Sequence, residues 1–114
     1  MLPKGNRIRK TREFERVFAS KQSIPGRLLR LVYTSNNLPI TRYGIIISTK
    51  VSKKAVVRNK LRRRLQAIIS RCIEQLLPPK DIVIICSQLA GKAEYRDIEI
   101  DLKRVLEKVY NIQL

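Results

Sequence analysis

Apolar and polar positions alternate along this chain with two periods, and the places where the period changes divide it into elements. Phe14, Val17 and Phe18 follow the i, i+3, i+4 spacing of one helix face. They predict a short helix over residues 12–20, with Thr11 placed to cap it. Pro25-Gly26 marks a turn. From residue 27 to 34 the period falls to two, with Leu29, Leu31 and Tyr33 on one side and Leu28, Arg30 and Val32 on the other. Asn36-Asn37 and Pro39 break that strand. A second strand is predicted over residues 42–48, where the run Ile45-Ile46-Ile47 implies burial on both faces.

A basic link, residues 49–54, leads into the strongest helical signal. Val57, Leu61, Leu65, Ile68, Cys72 and Leu76 form one apolar stripe with gaps of 4, 4, 3, 4 and 4, and Pro78-Pro79 ends it. Residues 81–86 read as a short buried strand and residues 87–93, with Gly91, as a loop. A last amphipathic helix runs over about residues 94–110, turning Ile98, Leu102, Val105 and Val109 inward. The order helix, two or three strands, long helix, strand, helix predicts an α+β fold: a small two-layer sandwich in which helices back one sheet. No repeat or long linker divides the chain, so residues 1–114 read as a single domain, with residues 1–10 as a basic N-terminal arm broken by Pro3 and Gly5.

Charge changes the picture from architecture to partner. Among 114 residues there are 25 Lys and Arg against 9 Asp and Glu, a net +16. Residues 1–71 carry 19 cations and 2 Glu, whereas residues 72–114 carry 6 cations and 7 acids, so the whole excess lies in the first two thirds. A field of that size predicts a polyanionic partner, and hence nucleic acid. The chain has no His, which removes Ser-His and Cys-His catalysis and His-ligated metal. Its two cysteines, Cys72 and Cys86, lie in apolar runs and read as reduced core thiols rather than a zinc site. No apolar run approaches the roughly 20 residues of a membrane span, and the N-terminus lacks a signal-peptide core, so a soluble cytoplasmic protein is expected.

The cations concentrate in Val57-Arg58-Asn59-Lys60-Leu61-Arg62-Arg63-Arg64-Leu65. At about 100° per residue Leu61 and Leu65 fall in the apolar stripe. Arg58 and Arg62 then share one margin, Arg64 flanks the other, and Asn59, Lys60 and Arg63 cover the outside. Like charges this close repel, and almost no acids accompany them. Guanidinium forks on a rigid helix are suited to phosphate oxygens.

The run Gly44-Ile45-Ile46-Ile47-Ser48-Thr49-Lys50 followed by Ala55-Val56-Val57-Arg58-Asn59-Lys60-Leu61-Arg62-Arg63 resembles the signature of the protein subunit of bacterial ribonuclease P. That family's hallmark is an Arg-Asn-Arg helix preceded by a glycine-led strand and a basic link. The stretch from Asn6 to Phe18 resembles the family's opening helix, and Asp81-Ile82-Val83-Ile84-Ile85 and the final helix occupy matching places. The resemblance covers essentially the whole chain.

It implies a mixed four-stranded sheet in the order α-β-β-β-α-β-α with a left-handed crossover, one strand more than the periodicity finds. The extra strand is expected between Tyr33 and Ser48, unless residues 40–47 pair more extensively. The family removes the 5′ leader of precursor tRNA. A catalytic RNA supplies the active site and its Mg²⁺, while the protein binds that RNA and the leader. The partners implied are therefore the ribonuclease P catalytic RNA and precursor tRNA, with no membrane and no obligate protein partner. The resemblance assigns catalytic-RNA binding to Arg58, Asn59, Lys60, Arg62 and Arg63. It assigns a leader cleft to Phe14, Phe18, Tyr33, Ser48 and Lys50.

Two readings of Phe14 and Phe18 stay open at this level, core packing and base stacking. The chain also departs from the family pattern. Lys60 stands for the usual Arg, which keeps the charge and loses the fork. Thr49 replaces one member of a frequent Lys pair, Gln66 a frequent Arg, and Arg64 adds a charge. An rRNA-stabilising protein is the rival reading, and a carboxylate nuclease a weaker one, because Glu13 and Glu15 sit beside Arg12 and Arg16. Asp97 and Asp101, at i and i+4, read as exposed ion-pair decoration rather than a Mg²⁺ site.

Overall fold

In a computed structural model that describes residues 4–114, the elements follow the order α-β-β-β-α-β-α. Helix α1 spans Thr11–Ala19, strand β1 Ser23–Pro25, β2 Leu29–Ser35 and β3 Arg42–Ile46. Helix α2 spans Ala55–Cys72, β4 Lys80–Cys86 and α3 Tyr95–Tyr110. Short 3₁₀ turns occupy Lys4–Asn6, Ile73–Gln75 and Gln88–Lys92. Residues 1–3 of the expected basic arm lie outside the described residues. Arg7 joins the sheet through a bridge to Tyr43, and the Ile8 amide donates to the Tyr43 carbonyl at 2.8 Å.

The sheet order is β1-β2-β4-β3. β1 and β4 both run antiparallel to β2, while β3 and β4 are parallel and joined through α2. That crossover agrees with the left-handed connection expected from the family resemblance. The fourth strand is not between Tyr33 and Ser48 but ahead of β2, at Ser23–Pro25. A three-residue strand ending in proline carries too few alternating positions to register as a strand, so only its turn was legible.

Each sheet face has its own apolar layer. Leu29, Leu31, Ile45, Ile82, Ile84 and Cys86 face α2 and α3, packing with Leu65, Ile68, Leu102 and Leu106. Val32 and Val83 face α1 and pack with Ile8 and Val17. Both cysteines are free and buried, and burial pushes the Cys86 thiol up to about 12.

Helix α1 begins at Thr11, but Thr11 is not its cap. Lys10 precedes the helix, and Glu13 Oε1 accepts the backbone amides of Lys10 at 3.0 Å and Arg9 at 3.2 Å. Those amides, then Arg42, hold the Glu13 carboxyl down to about 2.

A candidate RNA-binding surface

Register fixes what the α1 face of the sheet presents. One cross-strand row is Thr34, Asp81 and Arg42, the next Val32, Val83 and Gly44, and the third Arg30, Ile85 and Ile46. Helix α1 crosses the first two rows. Arg16 reaches Asp81 at 2.6 Å and the Ser35 carbonyl at 3.0 Å, and Glu13 meets Arg42 at 2.7 Å. At 3.6 residues per turn, Phe14 and Phe18 fall on the flank of α1 opposite Arg16 and so border the uncovered third row. Phe14 is half-buried with its ring on Gly44, where a Cβ would stand 2.5 Å from Phe14 Cε1. Phe18 stays 39% exposed, which rules out a core role for it.

This gives a cleft with α1 as one wall, half-buried Ile46 and Ile85 and exposed Arg30 as floor, and the loop after β3 at its end. Ser48 and Lys50 are both exposed on that loop, where Ser48 Oγ accepts the Lys50 amide at 3.2 Å. Tyr33 does not belong to the cleft. It pairs with Ile82 and packs against the α2–α3 core, on the other side of the sheet from α1. The cleft-side residue of β2 at that level is Val32, buried against α1. The two-residue period already puts Tyr33 with Leu29 and Leu31, so strand geometry overrides the role carried over from the family. The same period puts Arg30 on the cleft side, a cation that the family motifs do not single out.

Helix α2 arranges its cations as its periodicity requires. Leu61 and Leu65 are buried, Asn59, Lys60 and Arg63 are exposed, and Arg58, Arg62 and Arg64 lie half-buried along the margins. The marginal arginines are oriented by backbone carbonyls: Arg58 Nη1 donates to Ser52 at 2.8 Å, and Arg62 Nη1 to Ile45 at 3.1 Å. Among the described residues, the ion pairs use Arg16, Arg42, Arg71, Lys103 and Arg104. None of the five predicted ridge residues meets a carboxylate. Arg62 also lines a cavity of about 190 Å³ with Arg7, Arg9, Phe14 and Gln66, so ridge and cleft adjoin across the β3 edge.

A model of the ribonuclease P protein family matches residues 2–110. The chain belongs to the ribonuclease P protein family. It is 38% identical over 109 residues to the ribonuclease P protein component of Pseudanabaena sp., covering 95% of this chain and 94% of that one. The component from Syntrophomonas wolfei is 34% identical, with 95% and 90% covered. Among solved structures, a mutant of the Staphylococcus aureus RNase P protein superposes with a TM-score of 0.87 at 29% identity, covering 93% of this chain and 89% of that one. The Thermotoga maritima RNase P protein gives 0.79 at 25% identity, with 90% and 96% covered. As a ribonuclease P protein component, the chain is a subunit of the endoribonuclease that matures tRNA 5′ ends, and its partner is the RNase P RNA.

Three carboxylates of this family member, Glu13, Asp81 and Asp101, are committed to the fold. Asp101 is not surface decoration. It is buried, accepting the backbone amides of Arg27, Leu28 and Leu29 at 2.8–3.2 Å and Arg104 Nη2 at 2.8 Å. Gly26 permits this approach, since a Cβ there would lie 2.6 Å from Asp101 Oδ2. Among the described residues, no group of three His, Cys, Asp or Glu side chains is placed to hold a metal ion. No described helix is long and apolar enough to cross a membrane.

Proposed function

We propose that residues 1–114 form one RNA-binding domain whose two adjoining surfaces take two different RNAs. The ridge of Arg58, Asn59, Lys60, Arg62 and Arg63 binds the catalytic RNA of ribonuclease P. The cleft beside it receives the single-stranded 5′ leader of precursor tRNA. The observation that carries this reading is the set of unpaired ridge cations on a helix whose opposite face is locked into the core.

An anchored helix presents its guanidinium groups without a large loss of backbone entropy, and each phosphate neutralised releases counterions. In the cleft, Phe18 and the open face of Phe14 stack bases, at about 1–3 kcal/mol per base. Ile46 and Ile85 support the leader from below, and Arg30, Ser48 and Lys50 meet its backbone. Glu13, Asp81 and Asp101 are tied to amides and arginines, and in this reading hydrolysis and the Mg²⁺ it depends on belong to the RNA. The protein contributes binding and alignment, and it works in the cytoplasm, where precursor tRNA is made.

The test is a reconstitution. The purified chain, the catalytic RNA and a precursor tRNA in Mg²⁺ yield leader removal that depends on intact catalytic RNA. Phe18→Ala weakens binding of precursor tRNA more than of mature tRNA. Equal loss for both substrates, or no stimulation of cleavage at any salt concentration, contradicts the reading.

A further inference from the structure

On the side of α2 away from the cleft, its first turns and the segment leading into α3 enclose a groove of about 480 Å³. Val56, Lys60, Leu61 and Arg64 form one wall, and Lys92 and Tyr95 stand on the other. Its volume lies within the range of small-ligand sites, about 300–1,000 Å³.

Three features point to the same kind of occupant. The first is a polar atom without a partner. Tyr95 Oη is the one buried side-chain oxygen or nitrogen among the described residues that lacks a hydrogen bond. Such groups are rare in native proteins and call for a reason. The second is apolar surface left open beside charge: Val56 is 76% exposed, and Leu89, just before the groove wall, is 64% exposed. The third is the rim. Lys60, Arg64 and Lys92 are absent from every ion pair among the described residues, and Arg64 lies over the Tyr95 ring at 5.9 Å from its centre. Glu94 is the single carboxylate on the lining, so cations outnumber it three to one.

Apolar walls, a buried tyrosine hydroxyl left without a partner, and a cationic rim match one nucleotide, with its base inside and its phosphates outside. A base within a duplex cannot enter, because stacking and pairing hold it in the helix, whereas an unpaired nucleotide can be splayed out. We propose that this groove captures one unpaired nucleotide of the catalytic RNA, fixing the register in which that RNA lies along α2. The proposal rests on the reading that the catalytic RNA docks on the α2 ridge. The base packs against Val56 and Leu61 with an edge toward Tyr95 Oη, and Lys60, Arg64 and Lys92 meet the flanking phosphates.

The experiment places a photoactivatable aryl azide on Leu89→Cys, beside the groove but not lining it. Both native thiols are buried, so labelling is confined to the new one. Irradiated with the full-length catalytic RNA, the complex gives a crosslink to one unpaired nucleotide. Tyr95→Phe and Lys92→Glu each weaken RNA binding several-fold and diminish that crosslink, while Tyr95→Phe melts no lower than the unsubstituted protein. A crosslink spread along duplex, or none in a complex of normal affinity, overturns the proposal. So does Tyr95→Phe binding the RNA as tightly as before. If the unsubstituted chain does not bind the catalytic RNA at all, the ridge reading falls together with this one. If it binds and the groove variants bind equally well, the groove alone is refuted.

Discussion

Arg42 grips Asp81 with two parallel bonds, Nε to Oδ1 at 2.9 Å and Nη2 to Oδ2 at 2.6 Å, across the paired edges of β3 and β4. Asp81 is completely buried, and it also accepts Arg16 at 2.6 Å and Asn36 at 3.0 Å. Burial alone would raise its carboxyl; the hydrogen bonds from Arg42, Asn36 and Arg16 outweigh it and leave the carboxyl below its ordinary value. This group ties α1 to the sheet and so sets the wall of the cleft.

Asp81→Ala strands Arg42, which is only 17% exposed, next to a vacated site. Removing one partner of a buried pair costs about 3–5 kcal/mol. Arg16 is about half exposed, so Arg16→Ala costs about 1 kcal/mol or less. Urea unfolding of the two variants measures the contrast, and comparable losses would show that the carboxylate's weight lies elsewhere.

Acid stability follows from Glu13. Its carboxyl is held at about 2 in the folded chain, below the ordinary 4.5, so the stability it contributes is complete above 4.5. That contribution drains away as pH falls from 4.5 through about 2. Lowered carboxyls at Asp81 and Asp101 add losses of the same sign. Glu13→Gln is therefore less stable at pH 7 and declines less steeply below 4.5. Parallel pH profiles for the two proteins would remove Glu13 from the account.

The Phe14 ring of α1 packs on Gly44 of β3, leaving no room for a Cβ there. Gly44→Ala drives a methyl into the Phe14 ring and lowers stability by about 1–3 kcal/mol. Phe14→Leu in the same chain recovers part of that loss, because the two positions share one contact. Strictly additive unfolding energies in the double-mutant cycle would mean the ring relaxes freely.

Long periodic segments are legible from sequence because burial enforces their periods. The β2 alternation and the α2 stripe lie where the pattern predicts them as far as Cys72, where α2 gives way to a 3₁₀ turn before Leu76 instead of running on to Pro78-Pro79, and the outward cations of α2 follow from the same geometry. Strand β1 is not legible, because three residues ending in Pro25 hold no period. Asp101 is misleading in sequence because an acidic residue at helical spacing beside Arg104 looks the same whether it faces water or backbone amides. Only the turn at Gly26, brought against α3 by the tertiary fold, decides between them. Tyr33 misleads for the opposite reason: the motif suggests a role that the strand's own alternation from Leu29 to Tyr33 denies, although Leu28, read with Arg30 and Val32, precedes the strand and packs into the α2–α3 core.

In the proposed reading α2 binds RNA through cations whose charge the fold does not neutralise. That reading's most direct test is the salt dependence of catalytic-RNA binding by a chain carrying Arg58→Gln, Arg62→Gln and Arg63→Gln together. Every phosphate that is no longer neutralised flattens the slope of log affinity against log salt by about 0.7–0.9, so the triple variant's slope is shallower by about 2–3 units. Forfeiting the Ser52 and Ile45 carbonyl bonds lowers folding stability by only about 1–3 kcal/mol. An unchanged slope in a folded variant, or weakened binding explained entirely by unfolding, contradicts the account.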